Sequence, residues 1–429
     1  MALILYYPKE TIFSMNAVAG ALETDKTIKN TDIFFIRKID VLLKQIESSF
    51  HSYDIVVLGF SIFTTQFLEI SKLIKKIRKR FGNQVMIIAG GPHPSGMPEQ
   101  TLRYGIDVVF IGESENSIID FITNLQTNQD YRRTKGIAFL DDNKQFLYNK
   151  KEYVIDLNQF PPFPQINARF GSIEISRGCP YKCYFCQTSF MLGTIPRYRS
   201  VETICKYITI MKEENLTDIR FIAPNAFSYG SSDGKGINLT KLEELLFNVR
   251  KIIGDTGRIF FGSFPSEVRP EHVKKETLNL IKTYADNDNI IIGAQSGSQN
   301  ILDACNRGHT VTHIYRAVDE TVKAGLHPNV DFLFGLPYEN EQDVEQTIEV
   351  MKDLISKGAR IHAHTFIPLP QTPFSKLKGT KITKKAQIFL REYNFRGHVY
   401  GNFRKQQKLV TKTRNLITHK TRDKWVFEE

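Results

Sequence analysis

Two series of short apolar runs, each run followed by a segment of helical periodicity, account for most of this chain. In the first series the runs fall at residues 3–7, 33–36, 53–60, 85–89 and 108–111, and the helix-period segments at 15–22, 39–50, 65–81, 98–104 and 117–124. Strands alternating with helices in this way form a parallel sheet covered on both faces. Residues 1–125 therefore read as a doubly wound, Rossmann-like α/β domain. Ligands of such sheets lie beyond the carboxyl ends of the strands. Those ends carry Ser61, Gly90-Gly91-Pro92-His93 and Gly112-Glu113. Residues 126–170 are polar and then proline-rich (Phe-Pro-Pro-Phe-Pro at 160–164), which predicts a small β element and a linker. The second series places strands at 172–176, 218–223, 258–263, 289–295, 329–334 and 361–366. Six strand–helix repeats over residues 171–374 predict a partial, TIM-like (β/α)6 barrel with its chemistry at the strands' C-terminal ends. Residues 375–429 read as a basic, weakly patterned extension.

A length of 429 residues suits two or three domains. The N-terminus lacks a basic lead and reaches Pro8 before an apolar core could build, and no apolar run approaches the ~20 residues of a membrane span. A cytoplasmic protein with no membrane segment is expected. The net charge is +11, and residues 375–429 alone carry ten Lys and five Arg against four acids, also +11. The first 374 residues are thus neutral overall, and any nucleic-acid argument from charge applies only to the tail. There Phe395, Tyr400, Phe403 and Trp425 interleave with the basic residues. That mixture could dock an RNA or an acidic partner, but a solvated charged face is the commoner meaning of such a run and is favoured here.

The five cysteines are too few, and odd in number, for a disulfide framework. Cys205 and Cys305 stand alone on helical segments and read as small buried hydrophobes. The other three fall in Ile175-Ser-Arg-Gly-Cys179-Pro-Tyr-Lys-Cys183-Tyr-Phe-Cys186, on the loop after the first barrel strand. Three thiolates spaced C-x3-C-x2-C on one loop can hold three irons of a 4Fe–4S cube and leave the fourth iron open. Structural zinc normally closes its site with four ligands, often from paired C-x2-C units. No second pair exists, and no histidine lies close by in sequence. Gly178 and Pro180 suit a loop folded round a cluster, and Lys182 adds positive charge near an anionic cofactor.

This loop resembles the signature of the radical SAM superfamily. Further segments resemble that family in order: Pro196-Arg-Tyr-Arg-Ser-Val-Glu202, Gly293-Ala-Gln-Ser-Gly-Ser298 with Asn306-Arg-Gly-His-Thr310, Asp331-Phe-Leu-Phe-Gly-Leu-Pro337 and Phe366-Ile-Pro-Leu-Pro-Gln-Thr-Pro373. The resemblance implies a 4Fe–4S cluster on Cys179, Cys183 and Cys186 that donates an electron to S-adenosylmethionine, giving methionine and a 5′-deoxyadenosyl radical. It implies an adenine contact at Phe185. Ser263 and Glu267 after strand three, and Gln295, Ser296 and Ser298 after strand four, are candidates for the SAM amine, carboxylate or ribose. Helix capping and turn formation are the rival roles of Ser296 and Ser298. Arg307 and His309 could face the site or pack a helix N-terminus.

The α/β domain ahead of the barrel resembles the cobalamin-binding domain of the B12-dependent subgroup. Ser61, Gly90, Gly91, Gly112 and Glu113 are its candidate contacts. One departure is plain: many such domains carry Asp-x-His-x-x-Gly after the first strand, whose His ligates cobalt, and residues 7–16 here contain no His. His93 is the nearest substitute, though His-Pro after a Gly-Gly turn is more often loop structure. The resemblance suggests methyl transfer to an unactivated carbon, with cyclisation or rearrangement without net methylation as an alternative and a non-catalytic sensor or scaffold as another. Methylthiotransfer needs a second, N-terminal cluster, and no Cys precedes Cys179. A flavodoxin- or ferredoxin-like electron donor and a small-molecule or polypeptide substrate are the implied partners.

Overall fold

The computed structural model describes residues 1–25, 28, 31–151 and 154–418. They form two compact units, Met1–Gly171 and Ser172–Thr418. In the first unit, strands β1 (Ala2–Tyr6), β2 (Asp32–Ile36), β3 (Val56–Ser61), β4 (Met86–Gly90) and β5 (Val108–Phe110) pair in parallel. β6 (Ile137–Leu140) and β7 (Phe146–Tyr148) extend the sheet antiparallel, giving the order β2-β1-β3-β4-β5-β6-β7. The helices are α1 (Ile12–Leu22), α2 (Ile39–Ser49), α3 (Phe67–Phe81), α4 (Pro92–Gly96), α5 (Pro98–Arg103) and α6 (Glu115–Gln126). Alternate residues of the central strands supply the core: Leu3, Leu5, Val57, Ile88 and Val108 pack with Met15, Ala19 and Leu22 of α1 and with Ile118, Phe121 and Ile122 of α6. The order reverses between β1 and β3, which opens the crevice where doubly wound sheets bind ligands.

The proline-rich segment expected to be a linker is packed into this unit. Phe160 and Phe163 are buried, and Phe160 clusters with Ala21 and Ile155. The Glu23 carboxylate, just past α1, accepts backbone N–H bonds from Gln165, Ile166 and Asn167 at 2.5–2.9 Å. Two aromatic rings in a proline frame bury enough surface to hold an otherwise irregular stretch in place.

The second unit holds β8 (Ile173–Glu174), β9 (Ser176–Arg177), β10 (Arg197–Tyr198), β11 (Asp218–Ile222), β12 (Arg258–Phe260), β13 (Asn289–Gln295), β14 (His327–Phe334), β15 (Arg360–Thr365) and β16 (Val399–Tyr400). β8, β11 and β12 form one parallel ladder and β13 to β16 another. A parallel bridge between Val268 and Ile292, with Ile291 N–H donating to Gly262, joins the two. The result is the partial barrel, strand following strand in sequence order. Its helices are α7 (Thr188–Leu192), α8 (Val201–Glu213), α9 (Leu239–Ile253), α10 (Lys275–Tyr284), α11 (Gln299–Ala304), α12 (Val311–Lys323), α13 (Glu341–Ser356), α14 (Lys384–Phe395) and α15 (Phe403–Thr418). Caps set their starts: Ser200, Asn238, Thr310 and Asn340 each accept a backbone N–H from three residues on.

The C-terminal extension differs from its sequence reading. Through Thr418 it is folded on the barrel: β16 pairs with β15, Phe403 and Leu416 of α15 are buried, and Tyr400 stacks on His362. Tyr400 and Phe403 are therefore committed to packing and not offered to bases, whereas Phe395 is exposed. Trp425 lies outside the described residues. No described helix is long and apolar enough to cross a membrane.

Candidate active site

β9 hands the chain to Gly178, whose φ is +87°, and a Cβ at this position would stand 2.5 Å from the Ile195 carbonyl oxygen. Only glycine meets both demands. The loop that follows is pinned from several sides. Cys179 N–H donates to Gly193, Cys186 N–H to Cys183 and Tyr184 N–H to Cys305, each at 3.0 Å. The Asn306 amide donates to the carbonyls of Tyr181 and Lys182 at 2.9 and 3.2 Å. All three cysteines of the triplet then line one cavity of about 300 Å³. Gly178→Ala is expected to cost about 1–3 kcal/mol in left-handed backbone strain plus the clash with Ile195. Its iron content per chain after reconstitution should fall to less than half of wild type; full iron loading would count against this role of the glycine.

The rest of the cavity wall comes from α7, from the segments that follow β11, β12 and α11, and from residues of β13, β14 and β15. It includes Ser266, Glu267, Arg307, Asp331 and His362. Arg307 is buried; its Nη1 lies 3.5 Å from Cys183 Sγ and its Nη2 donates to the Gly293 carbonyl at 2.6 Å. Gly293 makes this possible, because a Cβ there would fall 2.8 Å from Arg307 Nη2, 3.1 Å from Glu267 Oε2 and 3.2 Å from Gln295 Nε2. Burial and then the adjacent Asp331 raise the Glu267 carboxyl above its ordinary range, with Arg307 pulling it back. Burial works against the Arg307 cation, but Cys183 and Glu267 outweigh it and hold the guanidinium charged. Behind this wall Arg269 stacks on the Tyr181 ring, 3.5 Å from its centroid, and donates to Glu271. Burial pushes the Cys186 thiol up to about 11 and raises Cys179 as well. Both are protonated thiols until a metal takes them, so loading releases protons.

A family model described as the radical SAM superfamily matches residues 173–351. The chain carries a radical SAM domain. Residues 11–122 match the B12 binding domain, which makes this a radical SAM enzyme with a cobalamin-binding domain. Its cofactors are a 4Fe–4S cluster, S-adenosylmethionine and cobalamin. Among curated proteins it is 26% identical over 328 residues to an uncharacterized methyltransferase, PH0819, of Pyrococcus horikoshii, covering 73% of this chain and 68% of that one. It is 23% identical over 324 residues to the threonylcarbamoyladenosine tRNA methylthiotransferase MtaB of Thermotoga maritima, covering 72% of this chain and 65% of the relative. Among solved structures, the radical SAM methyltransferase TsrM of Kitasatospora setae superposes with a TM-score of 0.69 at 15% identity, over 87% of this chain and 77% of that one. The cobalamin-dependent enzyme OxsB superposes with a TM-score of 0.64 at 19% identity, over 82% of this chain and 51% of that one. Several relatives are thus longer than the region they share with this chain, and at these identities the structural matches speak for the fold.

In this radical SAM chain the SAM candidates divide. Glu267 lines the cysteine cavity, and Gln295, at φ +76°, lies beside it across Gly293. Ser263 is buried with an unpaired hydroxyl and borders a neighbouring cavity with Arg220 and Arg258. Phe185 packs against Ile301, Cys305, Leu336 and Phe366. Ser296 and Ser298 turn away: Ser298 Oγ donates to Asp343 at 2.6 Å, and Ser296 Oγ lies 3.4 Å from Thr347 Oγ1, both on α13. Buried and mutually satisfied, they brace the turn after β13. Arg307 does face the cavity. His309 stays behind it, its Nε2 donating to Ala294, with burial and Arg307 pulling it down to about 2. The sequence showed no histidine near the triplet; the fold brings His362 to the same cavity.

The cobalamin candidates share one edge of the first unit. Ser61 pairs with Gly90 at the ends of β3 and β4, Gly91 follows at φ +95°, and Gly112 N–H donates to Ser95 at 2.9 Å. Glu113 is buried beside it, its carbonyl taking a bond from Lys151. Small residues at the carboxyl ends of β3, β4 and β5 fit a bulky tail, and Ser61 borders the switch of strand order. His93 does not fit as a cobalt ligand. Its ring is fully buried against Phe67, 4.0 Å between centroids, and burial lowers its pKa to about 3.

Proposed function

We propose that this enzyme cleaves S-adenosylmethionine reductively at a cluster held by Cys179, Cys183 and Cys186 and methylates an unactivated carbon of its substrate, with cobalamin as methyl carrier. The observation that carries this reading is the shared cavity, which the three cysteines line together with Glu267, Arg307 and Asp331. The cluster supplies low-potential electron transfer, an open iron for the methionine amine and carboxylate, and radical generation when SAM is bound. The chain's own residues bind and orient. Arg307 places positive charge beside Cys183, which favours the anionic cluster, and Glu267 offers carboxylate oxygens to an ammonium or a hydroxyl. Phe185, on the cysteine loop, packs against the apolar cluster that includes Ile301, Leu336 and Phe366 and so anchors that loop to the barrel. An external electron donor, a small-molecule or polypeptide substrate and a cytoplasmic location complete the proposal.

The test is anaerobic reconstitution with iron, sulfide and cobalamin, followed by a reductant and SAM. Methyl transfer predicts S-adenosylhomocysteine alongside 5′-deoxyadenosine. Deoxyadenosine alone would favour cyclisation or rearrangement, and neither product would favour a scaffold. Because the stretch at residues 7–16 offers no His and His93 is buried, bound cob(II)alamin should lack nitrogen superhyperfine splitting in its EPR spectrum. A nitrogen triplet at this cobalt would overturn that assignment.

A further inference from the structure

Asp331 on β14 and His362 and His364 on β15 bring one oxygen and two ring nitrogens within 4.8 Å of one another. In outline this is a two-histidine, one-carboxylate metal site. The hydrogen bonds around it favour a different role. The backbone N–H of Thr365 donates to Gln406 Oε1 at 2.8 Å, which fixes the orientation of that amide. The other end of Gln406 is therefore the NH2 group, 3.2 Å from His364 Nδ1. An amide NH2 has only protons to offer, so His364 Nδ1 accepts, and a neutral His364 carries its own proton on Nε2. Burial and then the neighbouring His362 hold the His364 pKa below its ordinary value, which keeps the ring neutral. His364 Nε2 lies 3.1 Å from His362 Nδ1 and donates to it. A neutral His362 is then left with its proton on Nε2.

Of the remaining contacts, one competes with that order and one supports it. Asp331 Oδ1 is 3.0 Å from the same His362 Nδ1. The Asp331 oxygen competes with His364 Nε2–H at that nitrogen, and the fixed Gln406–His364 donor chain is what opposes it. The His362 ring lies flat on Tyr400, centroids 4.5 Å apart and planes 7° apart, so it cannot swing. A metal would need the opposite arrangement. His364 Nε2 would be a lone pair, its Nδ1–H would point at the Gln406 NH2, and two buried donors would face each other unpaired.

We propose that Gln406 and His364 are positioning residues that lock His362 in its Nε2–H form. The wall of the cysteine cavity, which His362 lines, then presents a hydrogen-bond donor, and the substrate it suits carries an acceptor, such as a carbonyl oxygen or a ring nitrogen. The substrate clause rests on the cavity being the reaction chamber; the tautomer lock does not, and its test needs no turnover.

The experiment is 15N NMR of histidine-labelled holoprotein with the cluster oxidised, at mildly alkaline pH, with His362→Gln and His364→Gln assigning the two rings. The expected result is a protonated Nε2 and an unprotonated Nδ1 on both. Gln406→Glu replaces the NH2 by a carboxylate oxygen, which accepts from His364 Nδ1–H. The whole chain should invert: the protonated and unprotonated 15N resonances of His362 exchange positions. A wild-type His364 protonated on Nδ1 would overturn the proposal, as would a His362 unmoved in Gln406→Glu. So would an equivalent of zinc or another metal, beyond cluster iron, that His364→Gln abolishes. If Gln406→Glu fails to fold, Gln406→Met removes the donor and should turn His364 into a mixture of tautomers; a pure Nε2–H form there would sink the lock.

Discussion

Cys183→Ala should lower cluster iron to background and reduce reductive SAM cleavage by at least ~100-fold, beyond the loss given by removing a supporting residue. Cys183 is the buried member of the triplet and the one whose sulfur meets Arg307, at 3.5 Å. Its loss removes one of three iron ligands and leaves a buried guanidinium facing a methyl group. Cys305 and Cys205 provide the control. Cys305 is also buried and its carbonyl holds Tyr184 N–H, but burial and Cys183 push its thiol up to about 12, and its side chain packs with Ile301, Leu336 and Phe366. Cys305→Ala keeps the carbonyl and should keep the cluster, at a packing cost of about 1 kcal/mol. Iron and sulfide analysis with UV–visible spectra separates the cases. Equal iron in Cys183→Ala and wild type, or equal loss in Cys305→Ala, would refute the ligand assignment.

The contrast between these cysteines shows what the chain's own letters could convey. Spacing singles out Cys179, Cys183 and Cys186, because ligands of one cluster must sit on one short loop, and a three-letter signature survives any fold around it. The strands were legible for a related reason. β13 at Asn289–Gln295 coincides with its expected span, and β14 and β15 differ from theirs by one or two residues: β13 is centred on an apolar run, and β15 alternates buried Ile361, Ala363 and Thr365 with Arg360, His362 and His364. β12 stops at Phe260, short of its expected end, where Gly262 at φ +70° breaks the ladder.

The positions that eluded sequence reading depend on partners far along the chain. Ser298 looks like any serine after a strand until α13 supplies Asp343. Gln406 lies in a helix with only Phe403, Thr413 and Leu416 buried, so its apolar stripe is too thin to stand out among the surrounding lysines. Its role appears only when β16 brings that helix against β15 and its amide reaches both Thr365 and His364. Asp331 and His362 carry a signal in hindsight. Asp331 lies in the C-terminal half of β14 and His362 pairs with it in register on β15, at the level of the barrel where chemistry gathers.

Arg307→Met should be the most destabilising single change in the barrel. The guanidinium is buried, donates to the Gly293 carbonyl at 2.6 Å and neighbours both Cys183 and Glu267. Removing one member of such a buried charged group costs about 3–5 kcal/mol, because the others stay buried without their partner. At roughly 2–4 °C per kcal/mol for a unit of this size, the melting temperature should fall by about 6–20 °C. The effect has a pH signature. Arg307 is the cation that pulls the Glu267 carboxyl down against burial and Asp331. Without it the folded-state pKa of Glu267 rises further above its unfolded value. A carboxyl raised on folding contributes fully below its unfolded pKa, and that contribution is lost as pH rises through the folded one. The stability gap between wild type and Arg307→Met should therefore widen from acid toward neutral and mildly alkaline pH. Arg307→Lys keeps the charge but cannot span Gly293 and Cys183 together, so it should recover part of the stability and flatten the pH dependence. Thermal melts of the three proteins across pH decide the matter: a gap that narrows with rising pH would show that Glu267 does not depend on Arg307.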